Sequence, residues 1–406
     1  MKVYISGISG TGMGPLALMA KDAGFEVLGS DLAKGAIYEE LADAGIEVSV
    51  GEQDGEFLKK NLEGLDWFVY TSALPENHPE LLVARKAGVK CTKRDDFTAF
   101  LVDKLGLKMV AVAGTHGKTT TTSMIVWASL KLGMPVSYVV GTTLGFAPSG
   151  AYHKGDEYFV YEADEYDRNF LKYHPWLAVI TCVSYDHPDI YSTEEDYKAA
   201  FEQFRDQSEN VLEVAEDGKL ETGSFKLAGE ARRGDATLAM GAVVMMRQKV
   251  TGFKKVINVL NEFPGVGRRF ERLADGIYTD YAHHPEEVKA TMDVAREQAE
   301  LDGLNGVVVV YQPHQNTRQH EVRDGYLHAF DGAKKIFWLP TYLTRENPKL
   351  GVLEPEELYK GIDVAETVEL NDGLFDEILE WRDAGYLVIL MTAGPADGWL
   401  REKLGL

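Results

Sequence analysis

Met109-Val-Ala-Val-Ala-Gly-Thr-His-Gly-Lys-Thr-Thr-Thr-Thr-Ser123 is the stretch on which the fold turns. Val110, Ala111, Val112 and Ala113 suit a buried strand, and Gly114 and Gly117 let the backbone turn sharply behind it. Lys118 supplies a cation, and Thr119 and Thr120 supply hydroxyls where a helix begins. A loop of Gly114, Thr115, His116, Gly117, Lys118, Thr119 and Thr120 points backbone N–H groups at one spot, on the positive end of the helix dipole. Phosphate oxygens fit there, with a Thr hydroxyl placed to hold a magnesium ion. The strict phosphate-loop pattern has Gly where this chain has Val112.

Outward from that loop, the chain falls into three blocks. Residues 1–105 alternate short apolar runs (Val3–Ile5, Glu26–Leu28, Glu47–Val50, Trp67–Thr71, Val89–Thr92) with helical patterns, which predicts a parallel sheet with crossover helices. Residues 106–263 contain the phosphate loop and strands around Ser137–Val140, Tyr158–Glu162 and Ala178–Cys182. Residues 264–406 contain the apolar run Gly306–Tyr311 and further strands at Lys335–Leu339 and Tyr386–Met391. The expectation is an α/β protein of three domains. The first and third are Rossmann-like and the central one is a parallel sheet of the P-loop ATPase kind. The polar, Gly-dotted stretch Asn210–Gly241 has too weak a periodicity to assign.

The chain has 406 residues, 45% hydrophobic and 26% charged, ordinary values for a globular protein. No apolar run approaches the ~20 residues of a membrane helix, so no membrane span is expected. A strand directly at the N-terminus reads as no signal peptide, and Cys91 and Cys182 read as reduced thiols, both pointing to a cytoplasmic protein. A net charge of −22 argues against a nucleic-acid groove. Anionic ligands must therefore be met by local Lys, Arg and backbone N–H groups.

Three further groups of residues carry chemistry. The first strand enters Gly7-Ile-Ser-Gly10-Thr11-Gly12-Met13-Gly14-Pro15, a Gly-rich strand-to-helix turn, with Asp31 ending the second strand at ribose distance. Glu162-Ala-Asp164-Glu165-Tyr-Asp167 follows an apolar strand, and such carboxylates beside a phosphate loop suit magnesium. Four acids so close need a cation nearby, and Tyr185-Asp-His187 follows. In the third block come Gly265-Val-Gly-Arg268-Arg269-Phe-Glu271, Asp280-Tyr281-Ala-His283-His284-Pro285 and Gln312-Pro-His314-Gln315-Asn-Thr-Arg318. Arg forks of this kind match phosphate and carboxylate geometry.

In this order the motifs resemble the Mur ligase family of peptidoglycan synthesis, from the first strand into the third block. The resemblance implies three α/β domains and an ATP-dependent amide ligase. Gly265–Glu271, Asp280–Pro285 and Glu162–Leu171 look most like the branch that joins L-alanine to UDP-N-acetylmuramate. It implies ATP and Mg2+ as cofactors, with Lys118 on the β/γ-phosphates, Thr119 on the first magnesium, and Glu162 and His187 on the second. Arg269 and Asp280 would contact ATP. Gly10, Thr11, Gly12, Met13, Gly14, Asp31 and Ser72 would lie along the UDP-sugar. Tyr281, His283, His314 and Arg318 would face its carboxyl end and the amino acid. A monomer or homodimer is expected.

The chain departs from the family's pattern in three places. The adenine-binding Gly-x-His-Asn-x-x-Asn falls at Gly229-Glu-Ala231-Arg232-Arg-Gly-Asp235. The span from Tyr191 to Gly265 is several tens of residues short. Gln315 stands where Arg is expected. Other readings of the same residues are a ligase adding a tripeptide, a nucleotide-binding regulator without ligation, and an NAD-dependent oxidoreductase resting on the first Gly-rich loop.

Overall fold

The structure, a computed structural model, describes every residue except 72, 188–189, 214–224, 248–251 and 345. Three sheets follow one another along the chain. The first orders its strands Glu47–Val50, Glu26–Asp31, Lys2–Ser6, Leu65–Tyr70, Lys90–Lys93, all parallel. The second runs Val211–Glu213, Leu177–Ile180, Lys108–Ala113, Tyr158–Glu162, Ser137–Val139, Gly150–Ala151, with only the last pair antiparallel. The third runs Glu271–Ala274, Ile277–Asp280, Leu387–Thr392, Val307–Gln312, Ala333–Trp338, Ala365–Thr367, antiparallel only between the first two.

This is the expected α/β architecture, and it follows from apolar runs separated by helical patterns. Val307–Gln312 and Leu387–Thr392 are buried along their whole length, because helices cover both faces of the sheet. Such strands read as unbroken apolar runs, which is why the sequence shows them. The edge strands Gly150–Ala151, Val211–Glu213, Glu271–Ala274 and Ala365–Thr367 were not foreseen. They are two to four residues long, and all but the buried Gly150–Ala151 are partly exposed, so they leave no run to read.

The chain separates into two compact units. One comprises Met1–Phe225 with Gly234–Pro264 and carries the first two sheets; the other comprises Lys226–Arg233 with Gly265–Leu406 and carries the third. The first unit has a continuous core that draws Trp67 and Phe97 from around the first sheet and Phe159, Tyr161, Phe170 and Phe201 from around the second. The second unit is packed on both faces of its sheet, by Tyr311, Tyr326, Phe330 and Trp338 on one side and Val308, Val310, Phe337 and Leu390 on the other. Burial of each large side chain stabilises by about 1.5–3 kcal/mol. Among the described residues, no helix is long and apolar enough to cross a membrane.

Candidate functional site

Strand Lys108–Ala113 turns at residues 114–117 into the helix Lys118–Lys131. Gly114 has φ +138° and Gly117, the N-cap, φ +81°. Space also demands glycine: a Cβ on Gly114 would stand 2.1 Å from Thr181 Oγ1, and one on Gly117 2.6 Å from Asp235 Oδ1. The first amide with a partner in the helix is that of Thr121, bonded to Gly117 O. Those of Lys118, Thr119 and Thr120 have no hydrogen-bond partner among the described residues, as at any helix start without a side-chain cap, and a ligand can meet them. The loop itself is clamped to the segment after Leu177–Ile180. Thr115 Oγ1 donates to Ser184 O (2.7 Å), accepts from Ser184 N (2.9 Å) and meets Tyr197 OH (2.8 Å). The His116 amide donates to Cys182 Sγ at 3.3 Å.

The Lys118 ammonium donates to both oxygens of Glu165 at 2.9 and 3.1 Å and to the Gly114 carbonyl at 2.5 Å. Burial pulls its pKa down, but the charges of Glu165 and Asp164 outweigh that and raise it. The acids between Glu162 and Asp167 are dealt to different partners, which answers the repulsion expected of them. Glu162 accepts from Thr119 Oγ1 at 2.9 Å and from the Gly141 amide at 2.7 Å. Asp167 turns outward to Lys93 at 2.9 Å. The Asp164 carboxylate accepts from the Tyr166 amide, and burial followed by Glu165 raises its pKa. Glu165 is 1% exposed; burial pushes its pKa up, yet Lys118 and His187 bring it below the usual carboxylate value.

His187 places Nε2 3.6 Å from Glu165 and 3.7 Å from Asp186, on a left-handed backbone (φ +58°). Burial lowers its pKa, but Glu165 and Asp186 more than offset this and raise it. To ligate a cation through Nε2, His187 must give up its contact with Glu165. Among the described residues no three His, Cys, Asp or Glu side chains form a metal-holding group. The pair Thr119–Glu162 nevertheless fits magnesium, which takes one or two protein ligands and completes its shell with phosphate oxygens and water.

At the first Gly-rich loop, Gly10 donates to Gly7 O, and Met13 and Gly14 both donate to Gly10 O. A Cβ on Gly14 would stand 2.6 Å from Ile37 Cγ2, so helix Gly14–Asp22 packs closely there. Thr11 is exposed beside it. Asp31 accepts from the amides of Ser9 (2.9 Å) and Leu32 (2.8 Å), so it braces the loop's own backbone. Ser72 lies outside the described residues. Beneath the loop the structure holds a polar knot that sequence reading missed. Glu80, 1% exposed, accepts from Tyr4 (2.6 Å), Ser6 (2.6 Å), Ser30 (2.9 Å) and Gln53 (3.2 Å). Its partners lie 27 to 76 residues away, and no local signal links them.

In the second unit, Asp280 is buried at the end of its strand and accepts from the amides of Phe270 (2.7 Å) and Ala282 (2.8 Å). Burial raises its pKa against the pull of Arg269. The guanidiniums of Arg268 and Arg269 lie 4.6 and 5.2 Å from the Tyr281 ring centre. His283 Nδ1 is 3.1 Å from Tyr281 O, and its Nε2 meets Arg318. Arg has only donors, so Nε2 accepts and Nδ1 carries the proton. The rings of His283 and His314 stand 5.5 Å apart. Tyr281, His283, His314 and Arg318 are thus brought together, from two segments about thirty residues apart. Gln315, at φ +64°, begins the helix Asn316–Val322 that carries Arg318.

The altered segment Gly229–Asp235 separates in its contacts. Gly229 and Arg233 bond Glu297, and Arg232 lies 5.7 Å from the Phe270 ring centre. Asp235 accepts from Thr121 Oγ1 at 3.0 Å, against Gly117 of the phosphate loop.

Residues 2–104 match the model described as Mur ligase family, catalytic domain, and residues 112–222 match the Mur ligase middle domain. The chain is 32% identical to UDP-N-acetylmuramate--L-alanine ligase of Mycobacterium ulcerans, over 98% of this chain and 90% of that one. It is also 32% identical to the protein of that name from Paenarthrobacter aurescens, over 100% and 97%. The solved UDP-N-acetylmuramate-alanine ligase of Thermotoga maritima shares the fold with a TM-score of 0.79 at 22% identity, covering 100% and 98%. A murein peptide ligase of Psychrobacter arcticus does so with a TM-score of 0.62 at 21% identity, covering 100% and 98%. Identity at this level over nearly the whole chain establishes that the chain belongs to the Mur ligase family.

Proposed function

We propose that this protein is an ATP-dependent ligase of peptidoglycan synthesis that joins L-alanine to UDP-N-acetylmuramate. One structural observation carries the reading. A single loop–helix junction pairs Thr119 with Glu162 and Lys118 with Glu165, in a chain whose full-length relatives bear that enzyme's name.

The lactyl carboxylate attacks the γ-phosphorus of ATP, and ADP leaves. The amine of L-alanine then attacks the acyl carbon, and phosphate departs with the carboxylate oxygen. Lys118 leaves Glu165 for the β/γ-phosphates, and the first-turn amides of Lys118, Thr119 and Thr120 receive phosphate oxygens. Thr119 and Glu162 would hold magnesium, which would neutralise charge on the transferring group. His187 is assigned to a second cation. In the second unit, Arg269 and Asp280 are assigned to the nucleotide. Tyr281, His283, His314 and Arg318 are assigned to the carboxyl end and the amino acid. Gly10–Gly14 and Asp31 are assigned to the UDP-sugar. The site of action is the cytoplasm, where ATP and the nucleotide sugar occur together.

Incubation with magnesium, ATP and UDP-N-acetylmuramate, adding L-alanine or a murein tripeptide, tests this by mass spectrometry. The expected product carries alanine and forms with one ADP per bond. Product with the tripeptide alone would move the protein to the other branch, and phosphate release without any amide product would refute ligation.

A further inference from the structure

We propose that Tyr311, Tyr326 and Gln319 form a buried relay that positions His283 and His314 for the amino-acid step, an inference that rests on the reading above. All three side chains lie inside the second unit and are 0% exposed. Tyr311 comes from the strand Val307–Gln312, Gln319 from the helix Asn316–Val322 and Tyr326 from the 3-10 helix Arg323–His328.

The relay begins and ends on the backbone of the two histidines. Tyr311 OH donates to His283 O at 3.0 Å and lies 2.8 Å from Tyr326 OH. Tyr326 OH donates to Gln319 Oε1 at 2.7 Å, and Gln319 Nε2 donates to His314 O at 2.9 Å. A carbonyl only accepts, so the amide nitrogen faces His314 and the amide oxygen faces Tyr326. The two hydroxyls hold two protons for three contacts. When Tyr326 turns its proton to Tyr311 it releases Gln319, and when Tyr311 turns its proton to Tyr326 it releases His283. The two ends are therefore coupled. Burial, the largest influence on both phenols, raises their pKa values and keeps both protons in place.

Packing does not account for the hydroxyls. The Tyr311 ring centre stands 4.8 Å from that of Trp338 and 5.1 Å from that of Phe330, contacts a phenylalanine would make equally well. A hydroxyl in that aromatic core costs free energy unless it is bonded, so its gain lies in what it holds. At the far end the backbone is strained, since Gln315, next to His314, has φ +64°. Such a conformation persists only where its surroundings fix it. Gln319 supplies part of that hold, through the His314 carbonyl and through its own amide, which donates to Gln315 O at 3.2 Å. The rings of His283 and His314 are thereby kept 5.5 Å apart, close enough for one bound group to touch both.

Steady-state ligation by the intact protein, with L-alanine and ATP varied in turn, tests the relay. Tyr311→Phe and Gln319→Met each keep most of the side chain's bulk and cut the chain of contacts. Each is expected to lower kcat/KM for L-alanine about five- to tenfold, while KM for ATP stays within about twofold. The double variant should lose no more than either single one, because both breaks interrupt one relay. Phe330→Leu, which loosens the same core without touching the relay, should lower the melting temperature and leave kcat/KM for L-alanine unchanged. Unchanged kcat/KM in Tyr311→Phe would overturn the proposal, as would multiplied losses in the double variant or an equal loss in Phe330→Leu. If Gln319→Met does not fold, Tyr326→Phe, which breaks the middle of the relay, takes its place. Failure of the wild-type protein to ligate L-alanine would instead refute the ligase reading. The relay is then judged by imidazole nitrogen-15 shifts: Tyr311→Phe should move those of both His283 and His314, and an unmoved His314 would overturn it.

Discussion

Lys118 lies among buried negative charge, with Glu165 as its partner at 2.9 Å. Removing a buried pair's cation strands the other charge, at a cost of about 3–5 kcal/mol. Lys118→Ala is therefore expected to lose both ligation and thermal stability. Adding Glu165→Gln should restore much of the melting temperature and none of the ADP release. Recovery of turnover in the double variant would show that Lys118 acts only as a structural counter-ion. Asp235 offers a second test. Its carboxylate sits at the first turn of the phosphate helix, where it favours the fold by about 0.3–1 kcal/mol yet repels an incoming phosphate. Asp235→Asn should lower the KM for ATP by roughly two- to fivefold while slightly lowering stability. A raised KM would contradict that account. Nothing local in the sequence announces these partners, since Lys118 and Glu165 are 47 residues apart and Thr121 and Asp235 are 114 apart.

Elements differ in how much of themselves they reveal. The central strands are legible because both faces are covered and nearly every residue is apolar. The helix Glu230–Met246 lies mostly in the stretch Asn210–Gly241, whose periodicity is too weak to assign, because Gly234, Gly241 and scattered charges break it. Loop identities such as Gly114–Gly117 are legible because positive φ and close approach both demand glycine. The braces of those loops are not, because they come from distant elements. Glu346 is an example. It caps the helix carrying Arg318 by accepting from the amides of Asn316 and Thr317, both at 2.9 Å, and from that of Thr344. Burial pushes its pKa up, but these amides prevail and hold it below the ordinary carboxylate value. A depressed carboxylate stabilises above its unfolded pKa, about 4.3, and loses that contribution as pH falls through the folded value. Glu346→Gln should thus cost about 1 kcal/mol in urea unfolding at pH 7. The difference from wild type should vanish in strong acid, and a difference independent of pH would contradict the cap.

At the scale of the whole molecule, the chain holds two compact units, the first with a core running through two sheets. Two such units are expected to unfold in separate steps, giving a calorimetric enthalpy larger than the van't Hoff value. A single two-state transition would show that they unfold as one. Alignment with the Mycobacterium ulcerans relative runs to 465 positions although this chain has 406 residues, so it does without several tens of positions found there. The phosphate loop, its acids and the Arg–His group are all present despite that shortening. The central claim is that these groups make an amide through an acyl phosphate, and its most direct test follows one oxygen atom. UDP-N-acetylmuramate labelled with oxygen-18 in its lactyl carboxylate should transfer one labelled atom to each phosphate released when L-alanine is ligated. Unlabelled phosphate accompanying amide formation would contradict the account.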